Sequence, residues 1–145
     1  MTELTVRRMR ADDLTDASQL MRELGYTIDA DELRARTAQI LRRDEHALMV
    51  AETANGRVAG LVHIFVRAAL EKPVEAIVQS LVVDENLRGL GIGARLMDEA
   101  EAWAKTRGIA SVALYTQLHR EDAEAFYLKR GYLEANRSRL MRKKL

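Results

Sequence analysis

The chain has 145 residues, 48% hydrophobic and 31% charged, and its 23 basic side chains nearly balance 22 acidic ones for a formal net charge of +1. That length suits one domain with a single core, and the balanced charge excludes wholesale nucleic-acid binding. Cysteine is absent, which excludes disulfides, thiolate metal ligands and a cysteine nucleophile.

The opening stretch MTELTVRRMRADD has no apolar leader, and nowhere do about 18 apolar residues run together. The expected location is cytoplasmic, without a membrane partner. Residues 4 to 10 alternate as a strand. From Asp12 to Gly25 the apolar positions Leu14, Ala17, Leu20, Met21 and Leu24 form one helical stripe. Asp29 with Glu32 three residues on predicts a capping box for a second helix, running to about Arg43. HALMVAET and RVAGLVHIFVRA flank Asn55-Gly56, a dipeptide suited to a tight hairpin turn. Pro73, the one proline, precedes VEAIVQSLVV, which reads as the third strand of an antiparallel meander.

A further helix places Ile92, Leu96, Ala100 and Trp103 on one face and closes at Gly108. IASVALYT is a short apolar strand, residues from about Glu121 to Arg130 form a last helix, and YLEANRSRLMRKKL predicts a terminal hairpin. No repeat, linker or low-complexity segment divides the chain, so residues 1–145 are expected to form a single domain.

ENLRGLGIGARL joins the end of the third meander strand to the helix that follows. A helical glycine costs about 1 kcal/mol relative to alanine, so Gly89, Gly91 and Gly93 call for a compensating gain. A strand-to-helix junction presents unpaired N–H groups at the positive end of the helix dipole, which favours an anion, and glycines let a large one approach. Turn formation or packing is the alternative, and for one glycine it would suffice. A P-loop requires Gly-Lys-Ser/Thr, whereas Gly93 is followed by Ala94 and Arg95. Gly89, Gly91 and Ala94 satisfy a dinucleotide-binding spacing, but no acidic residue ends the next strand and too little chain remains for further parallel units.

Two segments carry a resemblance to the GNAT superfamily of acyl-CoA-dependent N-acetyltransferases. LVVDENLRGLGIGARLM is similar to its central Arg/Gln-x-x-Gly-x-Gly/Ala motif through Arg88, Gly91 and Gly93, and AEAFYLKRGY is similar to its second motif. The resemblance implies an α/β fold with a mixed sheet of about seven strands, splayed between the fourth and fifth and flanked by four helices. It implies acetyl-CoA as co-substrate. Arg88, Gly89, Leu90, Gly91, Ile92, Gly93 and Ala94 would cradle its pyrophosphate, and Leu81, Val82 and Val83 would offer a strand edge to its pantetheine arm.

Without cysteine, direct transfer from thioester to amine is the simplest chemistry. A lysine-type amine of pKa about 10.4 must give up roughly 4 to 5 kcal/mol of proton affinity at pH 7, an α-amine near 8 only about 1. Glu75 stands thirteen residues before Arg88, where histone-type members of the family carry a glutamate base; its alternative reading is a solvated strand-edge carboxylate. His63 on the neighbouring strand is another candidate. Gln79 occupies a position where many small-molecule members carry an acid, a departure that leaves the base unassigned. By resemblance Tyr127 would hydrogen-bond or protonate the departing thiolate, while Phe126 beside it reads as a core aromatic.

Arg120 stands where the family often has asparagine, and reads as a surface residue. His46, His63 and His119 lack metal-ligand spacing, so no metal is expected. RSRLMRKK reads as a charged edge that deters aggregation rather than a nucleic-acid contact. LGYTIDAD lies where the family shapes its acceptor pocket. The expected partner is a small-molecule or peptide amine, and a homodimer is left open. A non-catalytic acyl-CoA-binding or sensing module of the same fold is the competing functional class.

Overall fold

The computed structural model describes residues 3–145. Two compact units are described in turn, the described residues up to Leu114 and Tyr115–Leu145.

The first unit is built on a five-stranded sheet in the order β1-β2-β3-β4-β5: β1 (Leu4–Arg8), β2 (His46–Thr53), β3 (Val58–Arg67), β4 (Glu75–Val83) and β5 (Val112–Leu114). The first four strands pair antiparallel and β5 joins β4 in parallel, so the sheet is mixed. The β2–β3 hairpin turns at Asn55-Gly56, with Gly56 at φ 85°, the left-handed backbone that the dipeptide predicts. Three helices complete the unit: α1 (Leu14–Glu23), preceded by a 3-10 turn at Ala11–Asp13, α2 (Ala30–Leu41) and α3 (Ile92–Thr106).

Helix α2 starts where Asp29 caps it, its carboxylate accepting from the N–H groups of Asp31 and Glu32. The reciprocal half of the expected box is replaced by an i,i+4 pair, in which the Glu32 carboxylate accepts from Arg36 Nε at 2.9 Å.

One face of the sheet meets α1 and α2. Leu48, Val50, Leu61 and Val82 form a core there with Met9, Ala17 and Leu20, and α1 is tied to β3 where Asp16 accepts from the Val58 N–H at 3.0 Å. The opposite face meets α3 through Ile92, Leu96, Met97 and Ala100, all at most 2% exposed. At Gly60 this contact is so close that a Cβ would lie 2.9 Å from Leu96 Cδ1 and 3.0 Å from the Val82 carbonyl oxygen. Helix α3 reaches the sheet because position 60 has no side chain.

The second unit contains α4 (Glu121–Lys129) and ends its helix at Gly131, φ 94°. The seven-strand expectation is corrected to five strands among the described residues. The predicted terminal hairpin in residues 132–145 has no strand pairing, and Leu133, Leu140 and Met141 are each more than 80% exposed. The apolar–polar alternation alone does not bury a face of this segment, and an isolated hairpin is marginal in water.

Candidate active site

The sheet opens along β4. Strand β5 pairs only with Ala76, Ile77 and Val78, and in the next step β4 carries a bulge: His63 lies opposite Ser80 and Ile64 opposite Val78, which leaves Gln79 as the extra residue. Beyond it Ser80, Leu81, Val82 and Val83 remain paired to β3 on one side, while β5 has no register partner for them on the other. Gln79 is exposed and Leu81 and Val83 are half-buried. Such an edge offers unpaired backbone donors and acceptors to an extended ligand. Its partial opening accords with the expected splay between the fourth and fifth strands.

Beyond β4 the chain turns at Asp84, which is 3% exposed and densely bonded. Its carboxylate accepts from the Asn86 N–H at 2.9 Å and from Arg57 Nη2, while its own N–H donates to the Ala59 carbonyl at 2.8 Å. A 3-10 turn at Glu85–Leu87 follows, tied to α1 where the Glu85 N–H donates to the Glu23 carboxylate at 3.2 Å. Asp84 and Arg57 thus fix the start of the loop, a role that their separation in sequence concealed.

Arg88, Gly89, Leu90 and Gly91 are exposed, Gly93 and Ala94 half-buried and Ile92 buried. Gly89 and Gly91 lie at φ 81° and 83°, and no heavy atom would stand within 4 Å of a Cβ at either. Backbone conformation, rather than crowding within the protein, selects glycine here. Gly91 caps α3 without a side-chain bond, and the first helical turn carries no acidic residue. The N–H groups of that turn face outward at the positive end of the dipole. Gly93 lies inside the helix and is not among the positive-φ glycines, so its value is the absence of a side chain.

Glu75 stands at the other end of β4, roughly 25 Å along the strand from Val83. Arg67, its register partner, approaches its carboxylate at 3.4 Å, and Ser111 Oγ donates to it at 2.9 Å. The structure brings Leu81, Val82 and Val83 into continuity with the glycine loop but does not bring Glu75 to it.

Tyr127 belongs to the second unit. Its ring meets Phe126 and Tyr132 edge-on, with centroids 5.1 and 5.7 Å away, and its carbonyl accepts from the Tyr132 N–H at 3.0 Å. Burial raises the pKa of its phenol, opposed by the positive charges of Arg120 and Arg130. Tyr127 is therefore protonated at neutral pH. Arg120 itself is exposed at the N-cap of α4.

His46 and His63 form a pair that motif reading passed over. His63 Nε2 lies 3.0 Å from His46 Nδ1, and burial, reinforced by His46, pushes the His63 pKa down to about 4. The signal was available in the hairpin, whose turn sets the register of β2 against β3. Among the described residues no group of three or more acidic, histidine or cysteine side chains is placed to hold a metal ion.

This sheet, its opening at β4 and its glycine-bounded helix start define an α/β fold of the acetyltransferase kind. The sequence model of the acetyltransferase (GNAT) family matches residues 11–132, and the chain belongs to that family. An uncharacterized N-acetyltransferase of Methanocaldococcus jannaschii is 29% identical over 90% of this chain and 61% of its own. An aminoalkylphosphonate N-acetyltransferase of Salmonella typhimurium is 34% identical over 57% of this chain and 54% of its own. The matched regions thus span less than two thirds of these two relatives. The structure of an aminoglycoside N-acetyltransferase in complex with CoA superimposes with a TM-score of 0.89 at 19% identity, covering 100% of this chain and 97% of that one. At that identity the likeness establishes the fold. Among the described residues no helix is long and apolar enough to cross a membrane.

Proposed function

We propose that the protein transfers the acetyl group of acetyl-CoA directly to a primary amine of a small molecule or peptide, with residues 1–145 acting as one N-acetyltransferase domain. The observation that carries this reading is the continuity of the free β4 edge with the glycine-bounded start of α3. Leu81, Val82 and Val83 pair with the pantetheine arm, and the backbone from Arg88 to Ala94 receives the pyrophosphate. Each such bond to a charged phosphate contributes about 1.5 to 3 kcal/mol, more than the propensity cost of the glycines.

The amine, deprotonated, attacks the thioester carbonyl, the tetrahedral intermediate collapses, and the C–S bond breaks to leave CoA thiolate. Tyr127 donates a hydrogen bond to the sulfur. Full transfer from an ordinary phenol to a thiol-type conjugate base costs about 2 kcal/mol, and the raised phenol pKa increases that cost. Tyr127 is thus better suited to stabilising the thiolate than to protonating it outright. Glu75 is occupied by Arg67 and Ser111, which supports a role in holding β5 against β4 over that of base.

The relatives named for aminoglycosides and aminoalkylphosphonate direct the choice of acceptors. Release of free CoA thiol from acetyl-CoA is measured across polyamines, aminoglycosides, aminoalkylphosphonates, amino acids and peptides. Amine-dependent release is expected. Acetyl-CoA binding without release for any amine would replace the transferase reading with a sensing module.

A further inference from the structure

We infer that His63 and His46 form the route by which the proton lost from the acceptor amine leaves the reaction centre for a solvent cavity beside β1 and β2. The inference rests on the transferase reading above. It begins at the bulge, where His63 lies opposite Ser80. Directly opposed residues in an antiparallel pair share a face, so His63 sits beside Ser80, one strand in from the β4 edge that receives the thioester arm. Acetyl transfer to an ammonium group releases a proton at this place. His63 is only 9% exposed, so a proton arriving there requires a path outward.

His46 supplies that path. Its Nδ1 is the partner of His63 Nε2 at 3.0 Å, and Phe65 stacks on its ring at a centroid distance of 5.2 Å and 15°, which holds the imidazole in line. His46 also lines a cavity of about 400 Å³ between the end of β1, the start of β2 and α3. The charged groups around this cavity are Arg7, Arg8, Arg43, Asp44, Glu99 and Arg107. Water in this cavity is the acceptor for a proton that reaches His46.

The transfer balances without a stored charge on His63. An N–H bond forms at His63 Nδ1 as the Nε2–H bond breaks and its proton joins His46 Nδ1. His46 then loses its Nε2 proton to cavity water. Both rings end neutral with the opposite nitrogen protonated, and ring reversal restores the starting tautomers. Burial disfavours an imidazolium at position 63 and depresses its pKa to about 4, so His63 passes the proton on rather than holding it.

The test measures CoA thiol release with the amine that the wild-type protein turns over fastest, as a function of pH and of added imidazole. His46→Ala is expected to lower kcat about 10²-fold and leave KM for acetyl-CoA unchanged. Imidazole entering the enlarged cavity restores turnover, increasingly as pH rises and its neutral form predominates. His46→Phe preserves the ring stack on Phe65 and is expected to show the same loss with no restoration. Wild-type turnover in His46→Ala, or a loss that imidazole leaves untouched, overturns the route while the transferase reading stands. Absence of amine-dependent release by the wild-type protein overturns both.

Discussion

Tyr127 and His63 are both partly or wholly withdrawn from water, and burial moves their pKa values in opposite directions because it always disfavours the charged form. For Tyr127 the consequence is a phenol that donates without ionising. Tyr127→Phe keeps the edge-on contacts with Phe126 and Tyr132 while removing the donor. It is expected to lower kcat about 10-fold to 100-fold, the range spanned by one charge-assisted hydrogen bond of about 1.5 to 3 kcal/mol, with little change in acetyl-CoA affinity by calorimetry. Equal losses in kcat and affinity would assign Tyr127 to binding. For His63 the consequence is a pH-dependent stability. Its folded pKa of about 4 lies below the ordinary 6.5, so the unfolded chain binds the proton first. Its contribution is complete above about pH 6.5 and is lost as pH falls toward 4, a loss of roughly 3 kcal/mol. Urea midpoints measured across that interval are expected to fall for the wild type and to change much less for His63→Gln.

At the scale of elements, the first strand is locked in place by charge. Arg7 on β1 makes a two-pronged pair with Asp13 in the 3-10 turn, at 2.8 and 2.9 Å, and donates through Nε to Glu52 on β2 at 2.9 Å. Asp13 is 4% exposed and also accepts from the Arg10 N–H at 2.7 Å, so one carboxylate joins the strand to the start of α1. The Arg7 guanidinium holds its pKa below the usual carboxylate range. The stability from this junction is full above about pH 4 and falls only in stronger acid, separate from the His63 window. Asp13→Asn is expected to cost about 1.5 to 3 kcal/mol at pH 7, read from denaturant unfolding. This junction was not legible in the sequence, because it joins residues whose proximity only the sheet creates. The elements were legible where local chemistry acts alone: Asn55-Gly56 placed β2 and β3, Asp29 placed α2, and Gly108 closed α3. The terminal hairpin failed for the converse reason. YLEANRSRLMRKKL carries apolar residues, but nothing in its local pattern specifies a partner strand. In the site, the glycines announced the loop, whereas the bulge at Gln79 and the His46–His63 pair follow from register.

At the scale of the whole molecule, a ligand bound only by the native state stabilises it by an amount that grows with the logarithm of its concentration above Kd. Acetyl-CoA at 100 times its Kd is expected to add about 2.7 kcal/mol, which for a chain of 145 residues raises Tm by about 5 to 10 °C. The same increment separates the loop's conformational role from its binding role. Gly91 sits at φ 83° with open space around it, so Gly91→Val meets backbone strain of about 1 to 2 kcal/mol and places a branched side chain where the pyrophosphate would approach. The free variant is expected to melt lower, and its acetyl-CoA increment is expected to vanish. Gly25 tests the backbone component alone: its φ of 99° has the same sign, its surroundings are also open, and it lies outside the loop. Gly25→Val is expected to melt lower while keeping the full increment. An undiminished increment in Gly91→Val would mean that the amides at the start of α3 do not receive the phosphates. Loss of the increment in Gly91→Val alone would tie acetyl-CoA recognition to the space left by the missing side chain.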